Sequence, residues 1–396
     1  VAQLLQKLGF PLGKTRREDG MESIRVMTIF GTRPEAVKMC PLVLAMKREP
    51  RIQVCCCVTG QHRELLQQGL APFGVTPDID LNVMQPHQSL SQLTAACLQG
   101  LEPVLRAERP DLVLVHGDTT TALSGALAAF YQGIPVGHVE AGLRSGQLDT
   151  PFPEEGNRRL IDQLSTLRFC PTEGNRENLI REGLTQHNLV TGNTGVDALS
   201  YLRESPWETP ELEALEEDGR DVAVVTCHRR ENAGAPLRQV ITAVQWLAKT
   251  FPQWTLVWPV HPTVAEIVTQ SLSHLKNVLV LPPLGVGEMH RLVRLSAFLL
   301  TDSGGLQEEG AALGTPTLLL RQTTERPEGI AAGMTRLVGT DRDDICAAAC
   351  GMMEEPEMLQ KLVPPQNPYG DGHACDRIVS AILDWFDRSG KSGQEH

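Results

Sequence analysis

Residues 111–123 read DLVLVHGDTTTAL. Four consecutive apolar residues end in His116-Gly117-Asp118, and threonines then lead into the helical pattern ALSGAL. A short apolar run bounded by a Gly-containing polar turn is a buried strand handing over to a helix. The same arrangement recurs along the chain. His138-Val139-Glu140 follows PVG, His228-Arg229-Arg230-Glu231 follows DVAVVTC, and Asp302-Ser303-Gly304-Gly305 follows AFLLT. Working outward, apolar runs predict strands near 24–30, 52–58, 111–116, 134–139 and 167–170, then 222–227, 254–260, 278–281, 297–301, 316–320 and 335–338. Helical patterns between the first set lie near 34–47, 62–72, 91–108, 119–132, 154–165 and 174–183. Strands alternating with helices make α/β parallel sheets wound on both faces. Ligands of such sheets bind beyond the carboxyl ends of the strands. The four polar clusters, two from each half, are therefore expected to face one cleft between two domains.

A chain of 396 residues is long for one core and natural for two. Its 41% hydrophobic and 21% charged content is that of a globular protein. A formal charge of −12 argues against nucleic acid or an anionic membrane as a partner, so an anionic ligand must be held by local groups. No apolar run reaches the roughly 18–20 residues that span a bilayer. The ten cysteines form no CxxC pair, and Cys55, Cys56 and Cys57 are consecutive in a strand-like run, so they read as small buried hydrophobes. A reducing cytoplasm and no metal site are expected.

Residues 1–20 lack a continuous apolar segment and read as an extension ahead of Met21-ESIRVMTIF. A first domain is expected over 21–192 and a second over 193–372, separated near the acid-rich SPWETPELEALEEDGRD. A last helix near 373–388 is expected to pack back on the first domain, with 389–396 a tail.

The candidate site residues are cations, acids and Gly-rich turns. Gly31-Thr32-Arg33-Pro34 opens a helix, where free N–H groups attract anions and Arg33 and Lys38 add positive charge, or it is an ordinary turn with exposed cations. Ser303-Gly304-Gly305 opens another helix, and two glycines allow a phosphate close to the backbone. Glu308 and Glu309 follow one to two turns in, where a carboxylate can accept from ribose hydroxyls or simply face solvent. Asp118 either caps the next helix or handles protons. Glu140 ends a buried strand, where an ionised carboxylate needs a partner. Glu154-Glu155 are first-turn acids or part of the same proton-handling set. His228 can titrate near neutrality, and Arg229-Arg230 beside it suit phosphate. Arg321 and Thr323–Glu328, with Arg326 among them, close the same edge. His116 and His138 are expected to be hydrogen-bonded structural residues.

Taken together, GTRPEAVK, TGQHRELL, VHGDTTTAL, GHVEAGLRSG, PFPEEGNRRLID, TGNTGVDAL, HRREN, TDSGGLQEE and TTERPE resemble the bacterial non-hydrolysing UDP-N-acetylglucosamine 2-epimerases, from about Met21 to the final helix. The resemblance implies two Rossmann-like domains of GT-B type, a homodimer, and interconversion of UDP-N-acetylglucosamine and UDP-N-acetylmannosamine for cell-envelope polysaccharides. It implies no cofactor, metal or nicotinamide. It places the catalytic acids on Asp118, Glu140 and Glu154 and the catalytic histidine on His228. Arg33, Lys38, Arg230 and Arg326 fall in the substrate and UDP site, with Ser303, Gly304 and Gly305 on the diphosphate and Glu309 on the ribose. Gln61, His62, Arg229 and His261 lie in motifs that bind a second, activating nucleotide sugar in some relatives.

Three stretches depart from the family pattern. His261-Pro262-Thr263-Val264 replaces an Asn-containing motif. Leu284-Gly285-Val286-Gly287-Glu288-Met289 lacks the aromatics that often flank uracil, and His87 stands where some relatives have an activator-site arginine. A glycosyltransferase, a hydrolysing epimerase and a non-catalytic nucleotide-sugar sensor are the competing readings of the same residues.

Overall fold

The computed structural model of the chain describes residues 15–16, 22–60, 63–85, 88–203 and 209–391. The chain divides into two compact units, residues 1–198 with 370–396, and residues 199–369.

In the first unit, strand β1 (Thr15–Arg16) precedes β2 (Glu22–Phe30), α1 (Arg33–Arg48), β3 (Ile52–Val58), α2 (Arg63–Leu70) and β4 (Ile79–Asp80). Then come α3 (Leu90–Glu108), β5 (Leu112–His116), α4 (Thr120–Tyr131), β6 (Val136–Val139), α5 (Glu154–Leu164), β7 (Leu167–Cys170), α6 (Glu173–Arg181) and β8 (Asn188–Val190). The strands run β4-β3-β2-β5-β6-β7-β8, parallel throughout except that β1 lies antiparallel on the start of β2. Thr15 and Arg16, expected in an extension, thus join the sheet by pairing with Ser23 and Glu22. Met27, Ile29, Val113 and Val115 pack against Leu101, Leu105, Ala122 and Ala126 of α3 and α4. Strands buried on both faces explain why these runs are continuously apolar rather than alternating.

Helix α7 (Thr194–Arg203) carries the chain out of this unit. The expected boundary at 192/193 moves to 198/199 because Asp197 belongs with the first unit. Its carboxylate accepts the backbone N–H groups of Ala374 and Cys375, at 3.2 and 2.8 Å. Those residues begin the C-terminal helix, which rejoins the first unit.

The second unit contains α8 (Pro210–Asp218), β9 (Val222–Thr226), α9 (Ala235–Thr250), β10 (Thr255–Pro259), α10 (Ala265–Leu272), β11 (Val278–Leu281), α11 (Val286–Leu295) and β12 (Phe298–Thr301). It continues through α12 (Gly304–Leu313), β13 (Thr317–Leu319), α13 (Pro327–Ala331), β14 (Thr335–Leu337) and α14 (Arg342–Glu354). Its sheet is parallel, in the order β11-β10-β9-β12-β13-β14. The acid-rich separator is not all linker. Pro210 at the first turn starts α8, and Leu212 and Leu215 bury against Val222, Val224 and Leu292. Finally α15 (Ala374–Lys391) packs on α1, with Arg51 of the first unit donating to Asp387.

The strand order of each sheet reverses once, between β2 and β5 and between β9 and β12. That is the switch point at which doubly wound sheets open a crevice. Phe30, His116, Thr226 and Thr301 end these four strands. Three of the four clusters singled out in the sequence therefore stand at the two switch points, and His138-Val139-Glu140 ends β6, the strand next to β5.

Candidate active site

At the first switch point Gly31 is a position only glycine fits, since a Cβ there would lie 2.1 Å from Thr59 Oγ1 and 3.0 Å from Thr121 Oγ1. Ahead of α1, the N–H groups of Gly31 and Thr32 are taken by a carboxylate of the chain itself, as in the ordinary-turn reading. Glu35 Oε2 accepts the N–H groups of Gly31 and Thr32, at 3.0 and 2.8 Å, and its Oε1 accepts from Thr119 Oγ1 at 2.6 Å. Thr32 reciprocates by accepting from Glu35 N, which completes a capping box. The helix thus satisfies its first donors internally. Arg33 stands half-buried beside this turn, and burial lowers its pKa.

Glu140 is the strained residue of this edge. It follows β6 with φ of 69°, in the left-handed region that non-glycine residues rarely occupy. Such strain persists where surrounding contacts over-determine it, and it concentrates at functional sites. The contacts are present: Lys38 Nζ pairs with Glu140 Oε2, and His116 Nε2 lies 3.4 Å from the same oxygen. Lys38 reaches it past Gly195, where a Cβ would stand 3.2 Å from Lys38 Cε. His116 is buried, but its ring nitrogens have no hydrogen-bond partner among the described residues, so it is not the hydrogen-bonded structural histidine expected.

His138 does meet that expectation. Its Nε2 faces Gly117 O at 2.8 Å and its Nδ1 faces Asp162 Oδ1 at 2.6 Å. Asp162 also pairs with Arg144 at 2.8 Å. Burial pushes the Asp162 carboxyl up, but His138 and Arg144 outweigh it and hold the group below the ordinary carboxylate range.

Asp118 does not cap α4; Thr119 does, accepting from Ala122 N at 3.0 Å. Asp118 instead accepts from Arg158 Nη2 at 2.5 Å, while Asn157 Nδ2 donates to its backbone carbonyl at 2.8 Å. Arg158 is held from the other side by the fully buried Glu155, at 3.0 Å. Glu155 is therefore structural, and its neighbour Glu154 is half-buried on the first turn of α5.

At the second switch point Asp302 organises the turn. It is fully buried, and its Oδ2 accepts from His228 N and Arg229 N at 2.8 Å each and from Asn232 Nδ2 at 3.0 Å. Its Oδ1 lies 3.3 Å from His228 Nδ1. That separation is a close approach and not a hydrogen bond, so Asp302 holds His228 through its backbone N–H and places a carboxylate charge beside the ring. The half-exposed His228 ring stacks on His261, with centroids 5.5 Å apart and planes 19° apart. Arg229 Nε donates to Asp302 O at 2.7 Å, so this guanidinium also braces the turn. The backbone of Arg230 belongs to a short 3-10 turn over Arg230–Asn232, and its side chain, like Gln61, His62 and His87, lies outside what is described.

Ser303 caps α12, its Oγ accepting from Leu306 N at 3.5 Å, and no carboxylate folds back over the turn among the described residues. The N–H groups of Gly304 and Gly305 sit in the first turn, where a helix offers them no acceptor of its own. Gly304 is required because a Cβ would lie 2.6 Å from Arg326 Nη1. Arg326 itself is clamped: Nε donates to Glu308 Oε1 at 2.5 Å and Nη1 pairs with Glu325. Glu308 is thereby a structural acid. Glu309, the next residue, pairs with His290 and keeps partial exposure. The stretch Leu284–Met289 forms the entry to α11, with Glu288 accepting Gly285 N at 2.6 Å.

Sequence reasoning passed over Glu35, Arg158 and His290 as site-building residues and named Asp302 only as a member of its strand-end cluster. The Thr32-to-Glu35 spacing is a capping-box signal and was available. The other three act on partners distant in sequence and had no local signal.

Two doubly wound parallel units with acids, cations and a Gly-rich turn at their switch points define an α/β protein of GT-B-like fold. The sequence model described as UDP-N-acetylglucosamine 2-epimerase matches residues 44–383. The UDP-N-acetylglucosamine 2-epimerase of Escherichia coli strain K12 is 45% identical over 369 residues, 91% of this chain and 98% of that protein. That of Bacillus subtilis strain 168 is 44% identical over 92% of this chain and 96% of that protein. The crystal structure of the Neisseria meningitidis UDP-GlcNAc 2-epimerase bound to UDP-GlcNAc superposes with a TM-score of 0.87 at 43% identity, covering 91% of this chain and all of that one. This chain belongs to the UDP-N-acetylglucosamine 2-epimerase family and is an isomerase.

Proposed function

We propose that the protein interconverts UDP-N-acetylglucosamine and UDP-N-acetylmannosamine by eliminating UDP and adding it back. The observation that carries this reading is the strained Glu140, held by Lys38 and His116 on the strand edge next to Asp118 and its Arg158.

The C2 proton of a sugar is too weakly acidic for direct removal. Departure of UDP with the C1–O electron pair builds positive character at C1 and acidifies C2. A carboxylate takes the C2 proton, the C1–C2 double bond forms, and 2-acetamidoglucal and UDP result. Re-addition of UDP at C1, with a proton delivered to the opposite face of C2, gives the epimer. Two faces need two proton carriers, and Asp118, Glu140 and Glu154 are the residues proposed to share this work. His228, held by Asp302, stabilises or protonates the departing phosphate oxygen. The open α12 start at Ser303, Gly304 and Gly305 receives the diphosphate, Glu309 accepts from the ribose, and Arg33 and Lys38 add positive charge. Arg326 acts by shaping the Gly304 turn. The enzyme would then be a cytoplasmic homodimer that needs no cofactor and supplies cell-envelope polysaccharides. Gln61, His62, Arg229 and His261 are carried forward as residues of an activating nucleotide-sugar site.

Proton NMR of UDP-N-acetylglucosamine with the protein in heavy water tests the reading. UDP-N-acetylmannosamine carrying deuterium at C2 is expected, with deuterium returning to recovered substrate. Free N-acetylmannosamine would identify a hydrolysing enzyme, sugar transfer to an acceptor a glycosyltransferase, and an unchanged spectrum a sensor.

A further inference from the structure

Helix α11 turns Gly287, His290, Leu292 and Val293 inward. Leu292 and Val293 fill the core with Leu212, Leu281 and Leu299, as that face requires. His290 does not fit this apolar pattern, yet its ring is buried, with 3% of the residue exposed. A polar ring at such a position costs free energy unless it is hydrogen-bonded. Its Nδ1 lies 3.0 Å from Glu309 Oε1, and its Nε2 is buried without a hydrogen-bond partner among the described residues. A carboxylate oxygen only accepts, so Nδ1 donates and the hydrogen sits on that nitrogen. One hydrogen bond thus sets the ring, and the same bond sets the Glu309 carboxylate.

Glu309 lies two turns into α12, the helix that begins at the Ser303-Gly304 turn. Its neighbour Glu308 is consumed by Arg326. Glu309 keeps 19% of its side chain exposed, and the histidine bond uses Oε1 and not Oε2. An unheld glutamate loses rotamer freedom when it grips a ligand, whereas one fixed beforehand does not.

We infer that His290 is a positioning residue: it fixes the Glu309 carboxylate so that Oε2 is presented to a ribose hydroxyl of the bound nucleotide. The inference rests on the assignment of Glu309 to the ribose under the proposed function. It makes His290 a determinant of ribonucleotide recognition without contact between His290 and the ligand.

Calorimetric titration of the whole protein with UDP and with 2′,3′-dideoxy-UDP tests this. His290→Leu fills the apolar position but cannot donate. It should weaken UDP about tenfold, the usual order for losing a residue that orients a binding group, and leave dideoxy-UDP unchanged. His290→Gln, whose amide can donate, should recover part of the loss. In His290→Leu/Glu309→Gln the two losses should not add, because both act through one carboxylate. Equal weakening of both nucleotides by His290→Leu would mean general damage and overturn the inference. So would wild-type UDP affinity in both His290 variants beside a weakened Glu309→Gln. Wild-type UDP affinity in Glu309→Gln alone would instead remove the ribose assignment, and the inference with it. If His290→Leu does not fold, His290→Gln and Glu309→Gln decide the matter: unequal responses to the two nucleotides support the inference, and equal ones overturn it.

Discussion

The Glu35 carboxylate accepts the backbone N–H of Gly31 at 3.0 Å, so the helix start at the first switch point is closed by its own third residue. The helix start at the second, behind Ser303, has no such closure among the described residues. The same local device, a helix N-terminus beyond a central strand, serves folding in one unit and is open to an anion in the other. Glu35→Ala leaves Gly31 N, Thr32 N and Thr119 Oγ1 without their acceptor and should destabilise the first unit by about 2–3 kcal/mol. Glu35→Gln, which still accepts, should recover most of this in urea denaturation.

UDP affinity should depend on the open turn. Gly304→Ala sets a methyl against the clamped guanidinium of Arg326, and Ser303→Ala removes the cap. Each should weaken UDP by about 10–100-fold, the equivalent of one charge-assisted hydrogen bond. Calorimetric titration with wild-type affinity for both variants would displace the nucleotide from this turn.

Asp302→Asn keeps the shape of the turn but removes the charge facing His228 Nδ1, 3.3 Å away. Turnover should fall by about 10–100-fold, as for other losses of a histidine's carboxylate partner. Steady-state kinetics should show the loss in kcat, with KM changed much less.

Asp118→Asn, Glu140→Gln and Glu154→Gln preserve shape and remove basicity. Each should lower epimerisation by about 10²–10⁴-fold, the usual contribution of one general acid or base. Rates of C2 deuterium uptake, read by NMR, check this directly. A variant that exchanges C2 at the wild-type rate does not carry the proton.

Asp162 ties acid stability to the fold. Its folded pKa lies below the unfolded value of about 3.9, so the stability it contributes is complete above that value. It is lost as pH falls from there through the folded pKa. Asp162→Asn should flatten the stability profile in this acid window. It should also cost about 1–3 kcal/mol at neutral pH, because the buried His138 loses its carboxylate while Arg144 keeps Glu182. Urea midpoints measured between neutral pH and acid test both parts.

Much of this architecture was legible before any coordinates. Runs such as LVLV at 112–115 and FLLT at 298–301 are apolar because parallel strands are covered on both faces, and that is a local property of the chain. The strand-end clusters were legible too, because the βα turn after a central strand must carry Gly and polar residues whatever the tertiary structure does. Short edge strands such as β4 and β8 escaped notice, since two or three residues carry no periodicity. So did α8, whose acidic surface hides two buried leucines.

The sequence by itself determined which residue types stand at the ends of the central strands, and therefore the family to which the chain belongs. Only the tertiary structure decided what each of them does. Asp118 answers to Arg158, forty residues on, rather than to the helix it precedes. His228 answers to Asp302, His290 to Glu309, and Arg326 to Glu308. Glu154 and Glu155 are adjacent and chemically alike, yet one is walled in by Arg158 and Arg159 and the other is not fully buried. The reason is physical: a charged group's role depends on its burial and on the charge opposite it. Both are set by the packing of distant elements rather than by neighbours along the chain.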